Sequence, residues 1–581
     1  MTISSALQTD RGGSEGVGAS ATQSGWLFGP AVDLVLGCGV GSIAVSVLMV
    51  FQANTLAALV PGAILVLLFS LPHYGATLLR VYELREDRRR YAFFAFGVTT
   101  LLGFGFIAGL ENVFLGSLLL TVYLTWSPWH YTGQNYGIFL ILARRRGIAV
   151  SPVVKRLVYA SFVLSYALTF LAIHGTARPE NYAPASYAGT VYRLLPLGIP
   201  SWVSNPLLWG VAAAYGATLV AWFAALWRAS SLRQLGPSLV VAGTQSLWFS
   251  VPVLMRFSGL ARPDSGMAGI YDAYGFLWIA AAHAIQYLWI TSYYAKSQGR
   301  ARVLPSYLAK TAAAGFAIWT VPALVFAPGI LGSLPHEAGL AVLIAAVVNL
   351  HHFVLDGVVW KLRDGNVARV LLREVKQPTS SAGPTRRRRW PRSLFWATGG
   401  VCVAVGLLAL WGESEFKQAL REQDSVRARA AVDQLSWLGR DGPEARTRLG
   451  RLYARQGRSK RAESEFHRSL ALRPTVEAWR SLGLLYEEGR DWNAVVRAYD
   501  ALLTMAPADG QALYRRGLAY LERGEPQKAL ADIDGAARLH PEQKIIGLSR
   551  QRAQRMIEES RVKEAAPRPT GPSDSGLPGG T

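Results

Sequence analysis

Two adjacent histidines and an aspartate, His351, His352 and Asp356, lie in the segment NLHHFVLDG, near the end of a long apolar run of a 581-residue chain. His352 and Asp356 are four residues apart and share one helix face. Three other apolar runs hold one comparable histidine each: His73 in LPHYGATLLRVY, His130 in WSPWHYTGQNYG and His283 in AAHAIQYLWI. Each has polar company at helical spacing. Thr77 is i+4 from His73, Gln134 is i+4 from His130, and Gln286 and Tyr287 are i+3 and i+4 from His283. Neutral imidazole is the commonest metal ligand, and a carboxylate, amide or hydroxyl beside it holds the ring in place. The candidate ligands are therefore His73, His130, His283, His351, His352 and Asp356. Thr77, Gln134, Gln286 and Tyr287 stand behind them, with Asp33 and Gln245 reaching a similar depth from two further runs. His351 and His352 point about 100° apart around a helix, so one of the two faces the site and the other packs.

The elements that must position these groups are long apolar helices. A membrane-spanning helix needs about 20 mostly apolar residues. Eleven runs qualify, at about 30–51, 56–82, 92–110, 114–142, 153–173, 207–227, 236–255, 269–294, 307–327, 338–360 and 394–412. Polar groups inside hydrocarbon have to find partners and so turn toward the bundle interior. The expected fold is all-α: a polytopic membrane bundle over 27–412, then a helical solenoid over 413–558. The Ser/Gly/Thr-rich residues 1–26 and the Pro/Gly/Ser-rich residues 559–581 bury too little apolar surface to fold and are expected to be disordered.

The formal charge of +22 invites a nucleic-acid reading, which the distribution of the charge opposes. With the N-terminus cytoplasmic, the inner loops hold 25 Lys and Arg and the outer loops only Arg178, Arg193, Arg256 and Arg262. That bias is how membrane topology is encoded. It places the N-terminus inside and the solenoid outside, and it makes the RRRR at 386–389 a topology anchor first and an anionic-lipid contact second. In this topology the four histidine-bearing spans all run from outside to inside, each histidine about 8 to 12 residues before the inner end. At 1.5 Å per residue, the four-residue spread is a layer about 6 Å deep. Cys38 and Cys402 both lie in apolar runs, so neither a disulfide framework nor a thiolate metal site is available.

The segment EAWRSLGLLYEEGRDWNAVVRAYDALLTMAP carries Trp479, Leu482, Gly483, Tyr486, Tyr499 and Pro507. Gly517, Tyr520, Ala529, Ala536 and Pro541 follow 34 residues on for the shared Gly, Tyr and Pro, and Gly450, Tyr453, Ala462, Phe466 and Pro474 precede by 33. This pattern resembles the tetratricopeptide repeat. The resemblance implies stacked helix pairs with a groove that binds a protein or peptide, and residues 416–440 read as a degenerate leading copy.

Nitrogen ligation with one carboxylate suits iron, zinc or copper. One histidine on each of several spans resembles the integral-membrane β-carotene-cleaving oxygenases of microbes. That resemblance implies an iron held by His73, His130, His283 and His352, and an apolar substrate reached from the bilayer. Membrane desaturases and hydroxylases carry a fuller set of histidine boxes, of which only the HH pair is present. Haem and zinc are the alternative cofactors, since two histidines on facing helices also suit a haem. The alternative functions are a transporter or a scaffold that presents the repeats, and a glycosyltransferase using a lipid-linked sugar. The last needs carboxylates in the first outer loop, where this chain reads QANT.

Overall fold

The structure is a computed structural model, which describes residues 25–48, 62–175, 190–258, 273–298, 303–328, 330–361, 365–372 and 392–565. No strand occurs among these residues; two isolated bridges, Gly175 with Ile199 and Pro328 with Gly332, close loops. The apolar half is built mainly from α1 (Pro30–Gly37), α2 (Val40–Leu48), α3 (Leu71–Tyr82), α4 (Phe93–Glu111), α5 (Val113–Arg145), α6 (Pro152–His174), α7 (Ser201–Ala229), α8 (Leu232–Phe257), α9 (Ala273–Ser297), α10 (Leu304–Val325), α11 (His336–Val359) and α12 (Arg392–Arg421), with shorter helices at Gly62–Leu65, Arg85–Arg90 and Gly365–Leu372. A helix lies at each of the eleven expected runs.

Seven of these helices (α4, α6, α7, α8, α10, α11 and α12) are long and apolar enough to cross a membrane, and eight segments qualify if the bent pair α1–α2 counts as one. The count is thus below the expected eleven. The run expected at 56–82 is described only from Gly62, as a helical stretch with a π turn at Val66–Ser70 leading into α3. Helices α5 and α9 are long enough, but Ser, Thr, Gln, Asn, His and Tyr side chains dilute their apolar content. The two helices that fall short on apolarity are therefore two of those that carry the histidines.

Local chemistry sets the helix starts. The Asn112 carboxamide oxygen accepts the Leu115 amide at 3.0 Å and opens α5. Ser231 and Gln234 form a reciprocal capping box at α8. Pro128 sits inside α5 and withholds the N–H that the Leu124 carbonyl would otherwise accept.

Burial separates inner from outer helices. For α11, 83% of the apolar stretch is buried inside the protein, against 17% for α4, α7 and α12. Phe93, Phe104 and Trp202 stand almost bare on the outer helices. The tightest crossing is that of α3 on α10. A Cβ on Gly75 would lie 1.8 Å from the Thr311 carbonyl oxygen, and one on Gly315 would lie 1.7 Å from the Leu71 carbonyl oxygen. Only hydrogen fits at either position, so the two backbones meet directly on both sides of His73.

Helix α12 has 30 residues, about 45 Å at 1.5 Å per residue, which is more than the roughly 30 Å of a hydrocarbon core. The expected domain boundary at 412/413 falls inside it, because GESEFKQALR continues the helix with no breaker. Its last turns bury Phe416 and Ala419 against Ala428, Val432, Leu449 and Tyr453. The helix is thereby the first helix of a repeat, completed by α13 (Ser425–Trp437). Three further pairs follow: α14 (Pro443–Arg455) with α15 (Ser459–Leu472), α16 (Val476–Glu488) with α17 (Trp492–Met505), and α18 (Gly510–Glu522) with α19 (Pro526–Leu539). The last helix, α20, spans Lys544–Ala565. It carries order past residue 559, where disorder was expected to begin. The remaining expected disordered residues, 1–24 and 566–581, lie outside the described residues.

The turn inside each pair repeats as well. Gln423, Gly457, Arg490 and Gly524 all have left-handed backbone, with φ of 57°, 71°, 55° and 72°. The recurrence of the same turn at Gln423 gives the degenerate segment 416–440 the backbone pattern of the repeats that follow it. Where the pairs pack, a Cβ on Gly450, Gly483 or Gly517 would come within 2.6, 2.8 and 2.9 Å of Phe466, Tyr499 and Ile533 respectively. This contact is the physical basis of the repeated glycine.

Candidate metal centre

Helices α3, α5, α9 and α11 bring His73, His130, His283 and His352 together. One ring nitrogen from each lies within 4.8 Å of those of the other three. The rings close a circuit, with centroids 5.0 Å apart for His73–His283, 5.0 Å for His283–His130, 4.9 Å for His130–His352 and 4.1 Å for His352–His73. Both nitrogens of His73 and of His283, and Nε2 of His130 and of His352, are buried without a hydrogen-bond partner among the described residues. Burying an unpaired polar atom costs on the order of 1–3 kcal/mol, and one nitrogen from each of the four rings, four of these six atoms, could be satisfied together by a single ion. Nitrogen ligands at about 2.0–2.1 Å from an ion stand at most about 4.2 Å apart. A spread of up to 4.8 Å is wider than this, so the rings would have to draw inward to share one ion.

Asp356 stands at the edge of this circuit. Its Oδ2 lies 3.3 Å from His352 Nε2 and 3.8 Å from His130 Nε2. The first approach is an ion-pair distance without hydrogen-bond geometry, which is why His352 Nε2 still counts as unpartnered. The other oxygen, Oδ1, accepts hydrogen bonds from the Tyr287 hydroxyl at 2.6 Å and from Thr77 at 3.0 Å. Thr77 Oγ1 also bonds His352 Nδ1 at 2.9 Å, which leaves the opposite nitrogen of that ring facing the circuit. Tyr287 packs edge-on against His73 and takes a hydrogen bond from Trp360 Nε1 at 3.0 Å.

The remaining expected residues are placed differently. His351 is turned away: its Nε2 bonds Thr99 at 2.9 Å and Tyr82 at 3.3 Å. It is the packing member of the pair and leaves the ligand set. Gln134 reaches not the His130 ring but the His283 carbonyl and the Gln286 side chain, both at 3.2 Å. Gln286 donates to the Gly37 carbonyl at 3.2 Å. Both amides fix the helices rather than the imidazoles. Asp33 accepts from the Leu27 and Phe28 amides and from Trp289 Nε1, so it ties the chain entry to α9 and does not reach the histidines. Gln245 belongs to a separate polar knot, bonding Asn135, Thr132 and Ser165 at 2.9, 2.9 and 3.3 Å.

Four side chains at the site were not foreseen. Tyr74 donates to Asn349 Oδ1 at 2.8 Å beneath the His352 ring, 5.4 Å away. Tyr131 stacks on His283 at 4.1 Å and Phe353 on His130 at 4.4 Å. The available signals were adjacency to His73 and His130 for the two tyrosines and i−3 spacing from His352 for Asn349. Each also reads as an ordinary core residue.

Comparison with known proteins bears on the repeats. A tetratricopeptide-repeat family model matches residues 447–494 and 480–544, so the C-terminal region is a tetratricopeptide-repeat array of the kind that binds proteins. No curated protein matches the chain. Among solved structures, MamA MSR-1 C2 is 17% identical with a TM-score of 0.23, covering 26% of this chain and 89% of that one. MamA AMB-1 P212121 is 18% identical with a TM-score of 0.22, covering 27% and 93%.

Proposed function

We propose that the apolar bundle lies in a lipid bilayer and holds one iron ion through His73, His130, His283 and His352, at which a lipid-soluble substrate is oxidised. The observation that carries this reading is the closed circuit of four imidazoles from four helices, with six unpartnered buried nitrogens among them. Bare outer helices such as α4 and α7 support the bilayer, which would cover them. Iron bound there would supply the activation of dioxygen, among helices that bury its histidines. Thr77 sets the orientation of His352, and Tyr287 together with Thr77 leaves only one Asp356 oxygen free to face the centre. Rings this close favour a bare ion over haem, whose macrocycle needs a slot between two axial imidazoles. The loop charges favour a cytoplasmic N-terminus with the repeats on the other side, where they would recruit a protein partner.

The test is elemental analysis with an optical spectrum of detergent-purified protein beside His130→Ala and His352→Ala. Near-stoichiometric iron, lost in both variants while they stay folded, is the expected result. Zinc at the same stoichiometry would keep the centre and remove the redox chemistry, and a Soret band would replace the bare ion by haem. No metal in folded wild-type protein after reconstitution under reducing conditions would overturn the reading.

A further inference from the structure

A cavity of about 580 Å³ lies between the bundle and the leading repeat. That volume is in the range of small-molecule sites, about 300–1,000 Å³. Its two ends differ in chemistry. Leu277, Ala280, Trp319 and Val342 line the inner part, which ends at Tyr74 and Asn349. Those two are hydrogen-bonded to each other, and the Tyr74 ring stands 5.4 Å from the His352 ring. The inner end is thus one layer of side chains away from the four histidines. The outer part is lined by Glu337 of α11, by Glu413 and Lys417 of α12, and by Glu444 and Arg448 of α14. Glu413 is paired with Arg440 at 3.1 Å, and Glu444 with Arg448. The wall is therefore shared between the bundle and the repeats, and neither part encloses the space alone.

We propose that this cavity is the binding site for the substrate, an elongated amphiphile whose apolar body lies along Trp319 and Leu277 and whose single polar end rests among the charged groups of the leading repeat. An apolar molecule without a polar end would leave those groups facing hydrocarbon, and a fully polar one would strand its oxygens among aromatic and aliphatic walls. The arrangement also accounts for the unbroken run of α12 from the bundle into the repeats, since a hinge there would open the wall. The role as substrate chamber rests on the four-histidine reading; the binding itself does not. The smaller cavity, about 200 Å³, is lined mainly by α1, α2, α8 and α9 and ends at Gln286, whose amide is already engaged.

The experiment is photolabelling of the full chain in phosphatidylcholine vesicles with a long-chain fatty acid and the matching fatty alcohol, each bearing a mid-chain diazirine, with labelled residues mapped by mass spectrometry. Label is expected at Leu277, Trp319, Val342 and Phe416, competed by unlabelled amphiphile. Ala280 of α9 and Ala341 of α11 both line the cavity; Ala280→Phe and Ala341→Phe fill it from two walls, and each should lower that label by at least about tenfold. Two variants guard against a single misfolded one, and their metal content should stay at the wild-type level. A preference for the acid or for the alcohol identifies the polar end. Label confined to bilayer-facing residues such as Phe93, Phe104 and Trp202, or to the smaller cavity, overturns the proposal, as does cavity label unaffected by both variants. Cavity label in a protein that binds no metal overturns the substrate role and the centre together while leaving an amphiphile site.

Discussion

The rings of His73 and His352 meet edge to face, 4.1 Å between centroids and 69° between planes, although they come from the second and tenth apolar runs of the chain. This is the shortest side of the four-histidine circuit, and it is held from both directions. Gly75 and Gly315 let the α3 backbone press on α10, and Thr77 fixes the far nitrogen of His352.

The adjacent histidines should separate in function. His352→Ala removes a ring from the circuit, while His351→Ala removes only bonds to Thr99 and Tyr82. Metal per protein chain should fall to background in the first variant and stay near the wild-type level in the second. Elemental analysis with thermal melts as a folding control reads both.

Asp356→Asn keeps the shape and replaces the carboxyl group beside His130 and His352 by an amide. Loss of such a supporting group lowers metal affinity about 10–100-fold. Competition with a chelator of known affinity measures it. An unchanged affinity would make the carboxylate a packing group for Tyr287 and Thr77.

The Gly75–Gly315 crossing leaves no room for a methyl group. Gly315→Ala should cost both folded yield in detergent and bound metal, because α3 cannot keep His73 in place when its backbone is pushed from α10. Gly357→Ala is the control: a Cβ there meets nothing within 4 Å, and the change should leave the melt unaltered or raise stability by about 0.5–1 kcal/mol.

In the repeats, Glu465 is almost fully buried and accepts from Arg446, itself buried, at 3.1 Å, and from the more exposed Arg429 and Arg468 at 2.6 and 3.2 Å. Glu465→Ala leaves the Arg446 guanidinium with only Asp441 and Asp433 nearby. Arg446 keeps its two hydrogen bonds to Asp441, so the change costs about 1.5–3 kcal/mol, the worth of a hydrogen bond to a charged group, rather than that of a wholly broken buried pair, and the exposed partners add little. Denaturant unfolding should show a loss of this order.

Burial, with a hydrogen bond to Glu463, pushes the Tyr486 phenol up to about 12 from 10.0. A group raised on folding contributes stability that is complete below its unfolded value and is lost as pH climbs through the folded one. The repeats should therefore weaken between pH 10 and 12, less so in Tyr486→Phe. Melts across that window, with phenolate absorbance as a second signal, check it.

The helices were legible in the chain because an apolar run of fixed length and a 34-residue period are one-dimensional signals. So was the common level of the histidines along their helices, which follows from counting residues at a constant rise along each axis and agrees with their meeting in one cluster. What the chain could not determine was rotation. His352 rather than His351 faces the centre, Gln134 turns to a carbonyl, Asp33 to backbone amides and Gln245 to a separate polar knot. Each choice depends on which neighbour a helix face meets, and that is set by backbone contacts such as Gly75 on Thr311 and Gly315 on Leu71, far apart in sequence. The cavity between bundle and repeats belongs to the same class. Its walls come from α3, α5, α9, α10, α11, α12, α13 and α14, and only their packing makes one space of them.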